Sequence, residues 1–371
     1  MAKFQYNPFP IFKAAAVQAG SIFRDAPVYF DVDASLAKAI SLIGEASSKG
    51  ARLIVLSETF LPGYPYWSLD VQESAWRHIW REYLKHSIEV PGPETEALCQ
   101  AAKKADSYVV IGINERDRNY QGRMFNSILY ISPEGKVMGV HRKINITAQE
   151  LLFHTQGQGG DNLKTVFATE IGNLGGSICG EHLQYLLMYN WIMQGIQVHC
   201  SLWPGVQGVK TTSQTASQTL CQAGNCFAVV ASTYIPEKDR PKNFSANNIF
   251  NSNQFIGGTG IINPVGKYIV GPVYDCEEIV YADINLGQIA EAKSTVNLCG
   301  IYSRWDIMNI YIRQEPFEPV LPVYKDQQVL SLDQQQIIRQ LQLETAELKN
   351  RIAALEVGKK LSSRKKEQLK R

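Results

Sequence analysis

Three segments of this chain each end in a residue type that supports covalent catalysis. Glu58 ends Leu-Ile-Val-Leu-Ser-Glu, Lys143 ends Gly-Val-His-Arg-Lys, and Cys179 follows Gly-Gly-Ser-Ile. We interpret each segment as the end of a buried strand. A carboxylate, an ammonium and a thiol at such places suggest a base, a charge stabiliser and a nucleophile. Each residue taken alone is more often structural, but the three together predict an enzyme.

Strands and helices alternate along the first 230 residues and must position these three groups. The predicted strands are Ile11–Gln18, Arg52–Ser57, Tyr108–Ile113, Ser127–Ile131, Val137–Val140, Gln197–Ser201, Cys226–Ser232, Gly258–Ile262, Lys267–Val270 and Ile279–Ile284. The predicted helices are Ala34–Lys49, Val71–His86, Thr95–Lys104, Leu183–Gln194 and Thr211–Ala223. Turns at residues 132–135 and 263–266 join strands into hairpins. This order predicts a layered α/β sandwich.

Composition indicates the size of the core and the kinds of partner and compartment to expect. The 371 residues are 45% hydrophobic, which is enough for a large core, and the net charge of +2 gives no reason to expect a nucleic-acid partner. The sequence contains neither a secretory signal pattern nor an apolar run of the roughly 20 residues that span a bilayer. We therefore expect a cytoplasmic protein. Seven unpaired cysteines and scattered histidines predict reduced thiols, with no metal and no cofactor.

The composition changes near residue 315. We expect a catalytic domain in residues 1–315, and a proline-rich connector, a helix and a basic tail in residues 316–371. Positions a and d of a seven-residue repeat hold Thr345 and five apolar residues, Ile338, Leu341, Leu348, Ile352 and Leu355. Three interpretations remain open for this part: a solvated amphipathic helix, a coiled coil for assembly, or attachment of the basic end to an anionic surface.

Several motifs are shared with a known family. They are Leu-Ser-Glu-Thr-Phe-Leu-Pro-Gly-Tyr-Pro-Tyr-Trp (56–67), His-Arg-Lys (141–143), Cys-Gly-Glu-His (179–182) and Val-His-Cys-Ser-Leu-Trp-Pro-Gly (198–205). Over roughly residues 9–315 the chain resembles the nitrilase branch of the carbon–nitrogen hydrolases. The resemblance implies a four-layer α-β-β-α sandwich, a catalytic set of Glu58, Lys143 and Cys179, and homo-oligomers from dimers to spiral filaments. It also implies that Glu150, seven residues after the lysine, helps to orient the site.

The chemistry of the implied site follows from its residue types. A free thiol has a pKa of about 8.5, so Cys179 needs a base or a nearby positive charge before it can attack a nitrile or amide carbon. Glu58 can accept that proton, best if burial raises its pKa toward neutrality. Lys143 and the backbone N–H of Gly180 would stabilise the negative charge that develops on the substrate nitrogen.

The chain departs from the family beside the nucleophile, where Gly180 replaces the usual tryptophan. The glycine either opens space next to the sulfur or lets the turn adopt a positive φ. Tyr64, Trp67 and Trp203 either line the pocket or are core aromatics. His182, His199 and Glu181 are expected to pack, to form hydrogen bonds or to orient the site rather than to transfer protons.

The predicted function is hydrolysis of an organic nitrile, with water, to a carboxylic acid and ammonia. The alternatives of the same fold are an amidase, a nitrile hydratase that stops at the amide, and a cyanide dihydratase. An alternative of another class is an assembly scaffold with little catalysis.

Overall fold

Two six-stranded sheets form the core of the catalytic-domain unit in this computed structural model. The structure describes residues 9–66, 73–241, 254–300, 302–312, 336–349, 351–352 and 355. The first sheet contains β1 (Ile11–Gln18), β2 (Ala51–Val55), β3 (Tyr108–Arg116), β4 (Met124–Ile131), β5 (Val137–Arg142) and β12 (Glu278–Asn285). The second contains β6 (Phe167–Thr169), β7 (Gly172–Ile178), β8 (Val198–Trp203), β9 (Phe227–Ser232), β10 (Gly257–Ile262) and β11 (Tyr268–Tyr274). Their orders are β12-β1-β2-β3-β4-β5 and β11-β10-β9-β8-β7-β6.

Helices cover the outer face of each sheet. They are α1 (Val32–Ser48), α2 (Glu73–His86), α3 (Pro93–Ala105), α4 (Tyr185–Met193), α5 (Lys210–Gly224) and α6 (Gly287–Lys293). Apolar residues of α1 and α3 pack on the first sheet, and those of α4 and α5 lie over the second. The predicted α-β-β-α sandwich is confirmed.

Alternation of side chains along the strands creates the two cores. In β1, Ala14 and Ala16 point into the core between the sheets, whereas Ala15 and Val17 point toward the helices. The residues are apolar on both faces because both faces are covered, as expected for a sheet with a parallel centre. The strands β1, β2 and β3 are parallel, so their carboxyl ends lie on the same side of the first sheet. The same holds for β7, β8 and β9 in the second sheet.

The segment that carries Glu58 lies directly against β3. The predicted strand Arg52–Ser57 ends earlier, at Val55, so Glu58 lies on the turn that follows. A Cβ on Gly112 of β3 would be only 2.7 Å from the Cα of Glu58 and 2.4 Å from the carbonyl oxygen of Ser57. The glycine therefore allows the turn to cross β3 at close range.

Lys143 follows β5, and the prediction that this strand is buried was wrong. β5 lies at the edge of the first sheet, and five of its six residues are partly or fully exposed; His141 is the buried one. The sequence analysis also missed the short elements β6 and α6. Each has fewer than eight residues, too few to show a clear periodicity.

The chain divides into two units, Met1–Phe317 and Glu318–Arg371. In the second unit, residues 336–349 are helical and exposed, as are 351–352 and 355. The proline-rich connector and the basic tail lie outside the described residues. None of the described helices is both long and apolar enough to cross a bilayer.

Candidate active site

Lys143 lies between two carboxylates at the centre of the candidate site. Its Nζ is 3.0 Å from Oε1 of Glu58 and 2.6 Å from Oε2 of Glu150. All three side chains are buried, with at most 1% of each residue exposed. The structure thus brings together three of the four residues predicted to be catalytic. An ammonium has three N–H donors, so one of them remains for a substrate atom.

Asn126 of β4 orients both carboxylates, and the sequence analysis did not identify it. Its Nδ2 donates to Oε1 of Glu58 at 2.7 Å and to Oε1 of Glu150 at 3.2 Å. Among the described residues, Oε2 of Glu58 has no hydrogen-bond partner although it is buried. A buried carboxylate oxygen without a partner is free to accept a proton from a thiol or a water. The predicted strand began at Ser127, so Asn126 lay outside it; the available signal was the pair Asn126 and Ser127 within the largely apolar β4.

Burial and charge give the two carboxylates different protonation. Burial raises the pKa of Glu58 to about 7; Lys143 opposes this shift and the charge of Glu150 adds to it. Burial also favours a higher pKa for Glu150. The charge of Lys143 and the hydrogen bonds that Glu150 accepts from Lys143 and from the backbone of Thr147 outweigh burial and lower the pKa to about 2. The same two carboxylates outweigh the burial of Lys143 and raise its pKa. Glu150 and Lys143 therefore stay ionised, and Glu58 titrates near neutrality.

Cys179 occupies a strained turn at the end of β7. Its φ is +47°, in the left-handed region that a residue with a Cβ seldom adopts, and a 3₁₀ turn, Cys179–Leu183, begins there. Burial raises the pKa of the Cys179 thiol, the charge of Glu58 adds to this, and Lys143 and the backbone N–H of Gly180 oppose it. The resting thiol is therefore protonated, and its activation requires a base.

Comparison with known proteins identifies the family to which the chain belongs. The profile of the carbon-nitrogen hydrolase family matches residues 13–294. A prokaryotic protein named Nitrilase 2, from an unknown organism, is 35% identical over 78% of this chain and 91% of its own length. Nitrilase 2 of Arabidopsis thaliana is 32% identical over 88% of this chain and 97% of its own length. The chain is a carbon–nitrogen hydrolase of the nitrilase branch.

Two further comparisons concern product and fold. A bifunctional nitrilase/nitrile hydratase of Lupinus angustifolius, NIT4A, is 32% identical over 84% of this chain and 88% of its own length. The crystal structure of Nit3 from Saccharomyces cerevisiae superimposes with a TM-score of 0.61 at 19% identity, over 80% of this chain and 97% of that one. At that identity the structural likeness concerns the fold alone.

Glu181 connects the two segments that carry Lys143 and Cys179 in this hydrolase. Its carboxylate accepts hydrogen bonds from the backbone N–H of Ile144 at 2.7 Å and of Ile178 at 3.0 Å. These donors are the residue after the lysine and the residue before the cysteine. His141 donates to the same carboxylate from Nε2 at 2.9 Å. Glu181 therefore joins the end of the first sheet's edge strand to the turn that begins at Cys179.

The pair of His141 and Glu181 is ionised. Burial opposes a charged His141, but the Glu181 carboxylate and its hydrogen bond raise the pKa of the imidazole. Burial likewise opposes an ionised Glu181, but His141 and the two backbone donors keep the pKa of the carboxyl below its usual value. His141 also donates from Nδ1 to the carbonyl of Asn162 at 3.0 Å, so both ring nitrogens act as donors.

The histidines near the nucleophile pack and form hydrogen bonds. His182 donates from Nδ1 to the carbonyl of Cys179 at 2.8 Å, and its ring stacks on Trp203 at 4.9 Å. Burial lowers the pKa of His182 to about 4 and holds the pKa of His199 well below its usual value, so both are neutral. Trp203 is fully buried, and its indole N–H donates to Ser201 at 2.8 Å. Trp203 thus supports the nucleophile turn through His182.

Two predicted pocket positions border the site. Tyr64 is buried, and burial raises its pKa, with the charges of Glu150 and Glu58 adding to the shift. A Cβ on Gly180 would have one neighbour within 4 Å, Thr147 Oγ1 at 3.6 Å. Of the two alternatives for this glycine, the positive φ is not observed, because it belongs to Cys179, and the single neighbour of the Cβ position is at ordinary van der Waals distance. Trp67 lies outside the described residues.

His154 and Tyr83 form a second layer behind Glu150, and neither was identified from the sequence. Nδ1 of His154 is 3.9 Å from Oε1 of Glu150, and the Tyr83 hydroxyl is 3.3 Å from Nε2 of His154. Burial lowers the pKa of His154 to about 4, so the ring is neutral.

Within the described ranges, no three His, Cys, Asp or Glu side chains are arranged to hold a metal ion.

Replacing Glu181 tests its role as the connection between the two segments. Glu181→Gln keeps the size of the side chain but removes its charge and one acceptor oxygen, which leaves protonated His141 without a counter-charge. We expect the free energy of unfolding to fall by about 3 kcal/mol and alkylation of Cys179 by iodoacetamide to change in rate. Urea unfolding and mass spectrometry of the alkylated peptide measure the two effects.

The matched control is Glu291→Gln, which makes the same change at an exposed position of α6. It should shift stability by less than about 0.5 kcal/mol. Equal stability and equal alkylation rates in both variants would show that Glu181 does not hold the turn.

Proposed function

We propose that this protein hydrolyses an organic nitrile to a carboxylic acid and ammonia through a covalent bond to Cys179. The observation that carries the proposal is the free, buried Oε2 of Glu58, which belongs to a carboxylate with a pKa of about 7 beside the charged Lys143. The names of the two relatives called Nitrilase 2 support the same substrate class.

The first step is the addition of the thiol to the nitrile carbon. Glu58 accepts the thiol proton as the C–S bond forms, and the nitrile nitrogen then takes a proton from Glu58 to give a neutral thioimidate. The third N–H of Lys143 and the backbone N–H of Gly180 stabilise the charge that develops on that nitrogen. Glu150 remains ionised and keeps Lys143 charged and in position.

Water then completes the reaction in two steps. Glu58 removes a proton from the first water as its oxygen adds to the thioimidate carbon, and passes this proton to the nitrogen. The tetrahedral intermediate then expels ammonia, which takes its third hydrogen from the hydroxyl that becomes the thioester carbonyl, so Glu58 is again a free carboxylate. A second water, activated in the same way, releases the carboxylic acid and the thiol. If the tetrahedral intermediate expels the thiol instead, the product is an amide.

The alternative products and substrates keep the same residues in the same roles. An amidase would form the thioester directly, and the bifunctional name of the Lupinus angustifolius relative favours the amide branch as the second candidate. We rank cyanide lower because Gly180, in place of the family's usual tryptophan, leaves room for a larger substrate. A scaffold has no need of a buried Glu58, Lys143 and Glu150 in contact.

We also propose a homo-oligomer in a reducing compartment such as the cytoplasm. All seven cysteines are free thiols in the structure, which suits a reducing environment and a thiol nucleophile. The homo-oligomer follows from the family resemblance.

Ammonia and amide release tests the reaction. The purified chain is incubated with aromatic, arylacetic and aliphatic nitriles, and both products are measured. We expect turnover of at least one class, and Cys179→Ala should reduce it by at least about 10⁴-fold because the nucleophile is lost. Glu58→Gln should have a similar effect, because an amide cannot accept the thiol proton.

The control for the thiol is Cys276→Ala, which removes a cysteine of intermediate exposure near β12 and should keep full activity. Absence of ammonia and of amide from every nitrile, with ammonia from the corresponding amides, would replace the nitrilase proposal by the amidase. Full activity in Cys179→Ala would contradict both.

The pH dependence of kcat/KM tests the role of Glu58. A base must be deprotonated to act, and burial raises the pKa of Glu58 to about 7. We therefore expect kcat/KM to rise about tenfold per pH unit well below pH 7 and to level off above it. Initial rates of ammonia release in overlapping buffers measure the profile. A rate that is constant from about pH 5 to pH 9 would assign the base role elsewhere.

Gly180→Trp tests the open space beside the nucleophile. An indole there would fill the volume in which a Cβ now meets Thr147 alone. We expect the kcat/KM ratio of arylacetic to small aliphatic nitriles to fall by at least tenfold, the effect of a steric penalty of about 1.4 kcal/mol. Gly44→Trp, at an exposed position of α1 with open surroundings, is the control and should leave the ratio unchanged. An unchanged profile in Gly180→Trp would mean that this space does not set specificity.

A further inference from the structure

The C-terminal helix carries an apolar stripe that is exposed to solvent. Residues 336–349 are helical, and helical backbone is also described at 351–352 and 355. Five apolar side chains on the stripe have exposed fractions of 40 to 67%: Ile338, Leu341, Leu348, Ile352 and Leu355. Isolated helices of this length are marginal in water, so burial of the stripe is what would stabilise the helix.

The residue types along the stripe select one kind of partner. Every a position is β-branched (Ile338, Thr345 and Ile352), and every d position is leucine (Leu341, Leu348 and Leu355). In parallel coiled coils, β-branched residues at a with leucine at d favour two strands over three or four. The stripe is therefore complementary to a second copy of itself.

The charges beside the stripe fit the same arrangement. In a parallel pair, a g residue of one helix faces the e residue of the next heptad in the other helix. The two charged combinations in this sequence are Glu344 at g with Lys349 at e, and Arg351 at g with Glu356 at e. Both bring opposite charges together, and the remaining combination, Ile337 with Gln342, is uncharged.

We propose that residues 338–355 form a parallel, two-stranded coiled coil with the same segment of a second chain. The partner is thus another copy of this protein, joined through a surface that contains none of the catalytic groups. Pairing buries the five apolar side chains of the stripe in both helices and places Glu344 of each chain opposite Lys349 of the other.

The mass of the full-length chain in solution tests the proposal. The variant Leu341→Lys/Leu348→Lys places charges at two d positions, and we expect its mass by sedimentation velocity to be at least about twofold lower than that of the wild type. The control Leu343→Lys makes the same change at position f, where the leucine is 66% exposed but lies off the stripe. It should keep the wild-type mass.

A charge exchange tests the parallel orientation. Glu344→Lys alone places two lysines opposite each other in a parallel pair and should shift the dimer dissociation constant upward by about fivefold or more. Glu344→Lys/Lys349→Glu restores opposite charges and should return the constant to the wild-type value. An antiparallel pair would instead bring the lysine introduced at position 344 toward Arg351, so the exchange would not restore the wild-type constant.

Two results would overturn the proposal. Equal masses for the wild type and for Leu341→Lys/Leu348→Lys at every concentration of a dilution series would show that the stripe does not join two chains, because contacts elsewhere in the chain are the same in both proteins. Dissociation by Glu344→Lys that the exchange of both charges fails to reverse would exclude the parallel pair.

Discussion

The site depends on one buried ammonium held between two buried carboxylates. Removing an ion from water costs several kcal/mol, so none of these three groups would remain charged alone in the core. Lys143 and Glu150 stabilise each other, and a negative charge on Glu58 is then opposed by Glu150 as well as by burial. The arrangement therefore yields one fixed ion pair and one carboxyl that titrates near neutrality, which is what a general base requires.

A third buried carboxylate, that of Glu181, fixes where the turn of Cys179 lies relative to that ammonium. Lys143 follows an edge strand of the first sheet, and Cys179 follows a strand of the second. Apolar packing between the sheets has no preferred direction and does not fix the positions of these turns. The carboxylate of Glu181 fixes them, because it accepts hydrogen bonds from His141, Ile144 and Ile178. Glu181 accepts hydrogen bonds from both turns and so relates the two reactive groups across the sheets. The left-handed conformation of Cys179 is kept by these contacts and by His182.

Much of the architecture followed from patterns along the chain. β1 was predicted with the bounds that the structure has, because an apolar run between turn signals is a strong signal. β6 and α6 were missed because three and seven residues show too little periodicity. The prediction that the strand before Lys143 is buried was wrong because β5 lies at the edge of its sheet, and no local pattern reveals which strand is at the edge. Asn126 was not predicted, because it lies one residue before the predicted strand Ser127–Ile131 and no local pattern shows that its side chain meets Glu58 and Glu150.

The sequence by itself determined the reactive residue types, the order in which they occur, and the heptad pattern of the C-terminal helix, because these are properties of neighbouring residues. Only the tertiary structure decided the protonation of Glu58 and Glu150, since their pKa values depend on burial and on Lys143, which lies 85 residues from Glu58 in the chain. It also decided that Cys179, rather than Gly180, adopts the left-handed conformation. That strain is compensated by hydrogen bonds and packing, which exist once the chain is folded.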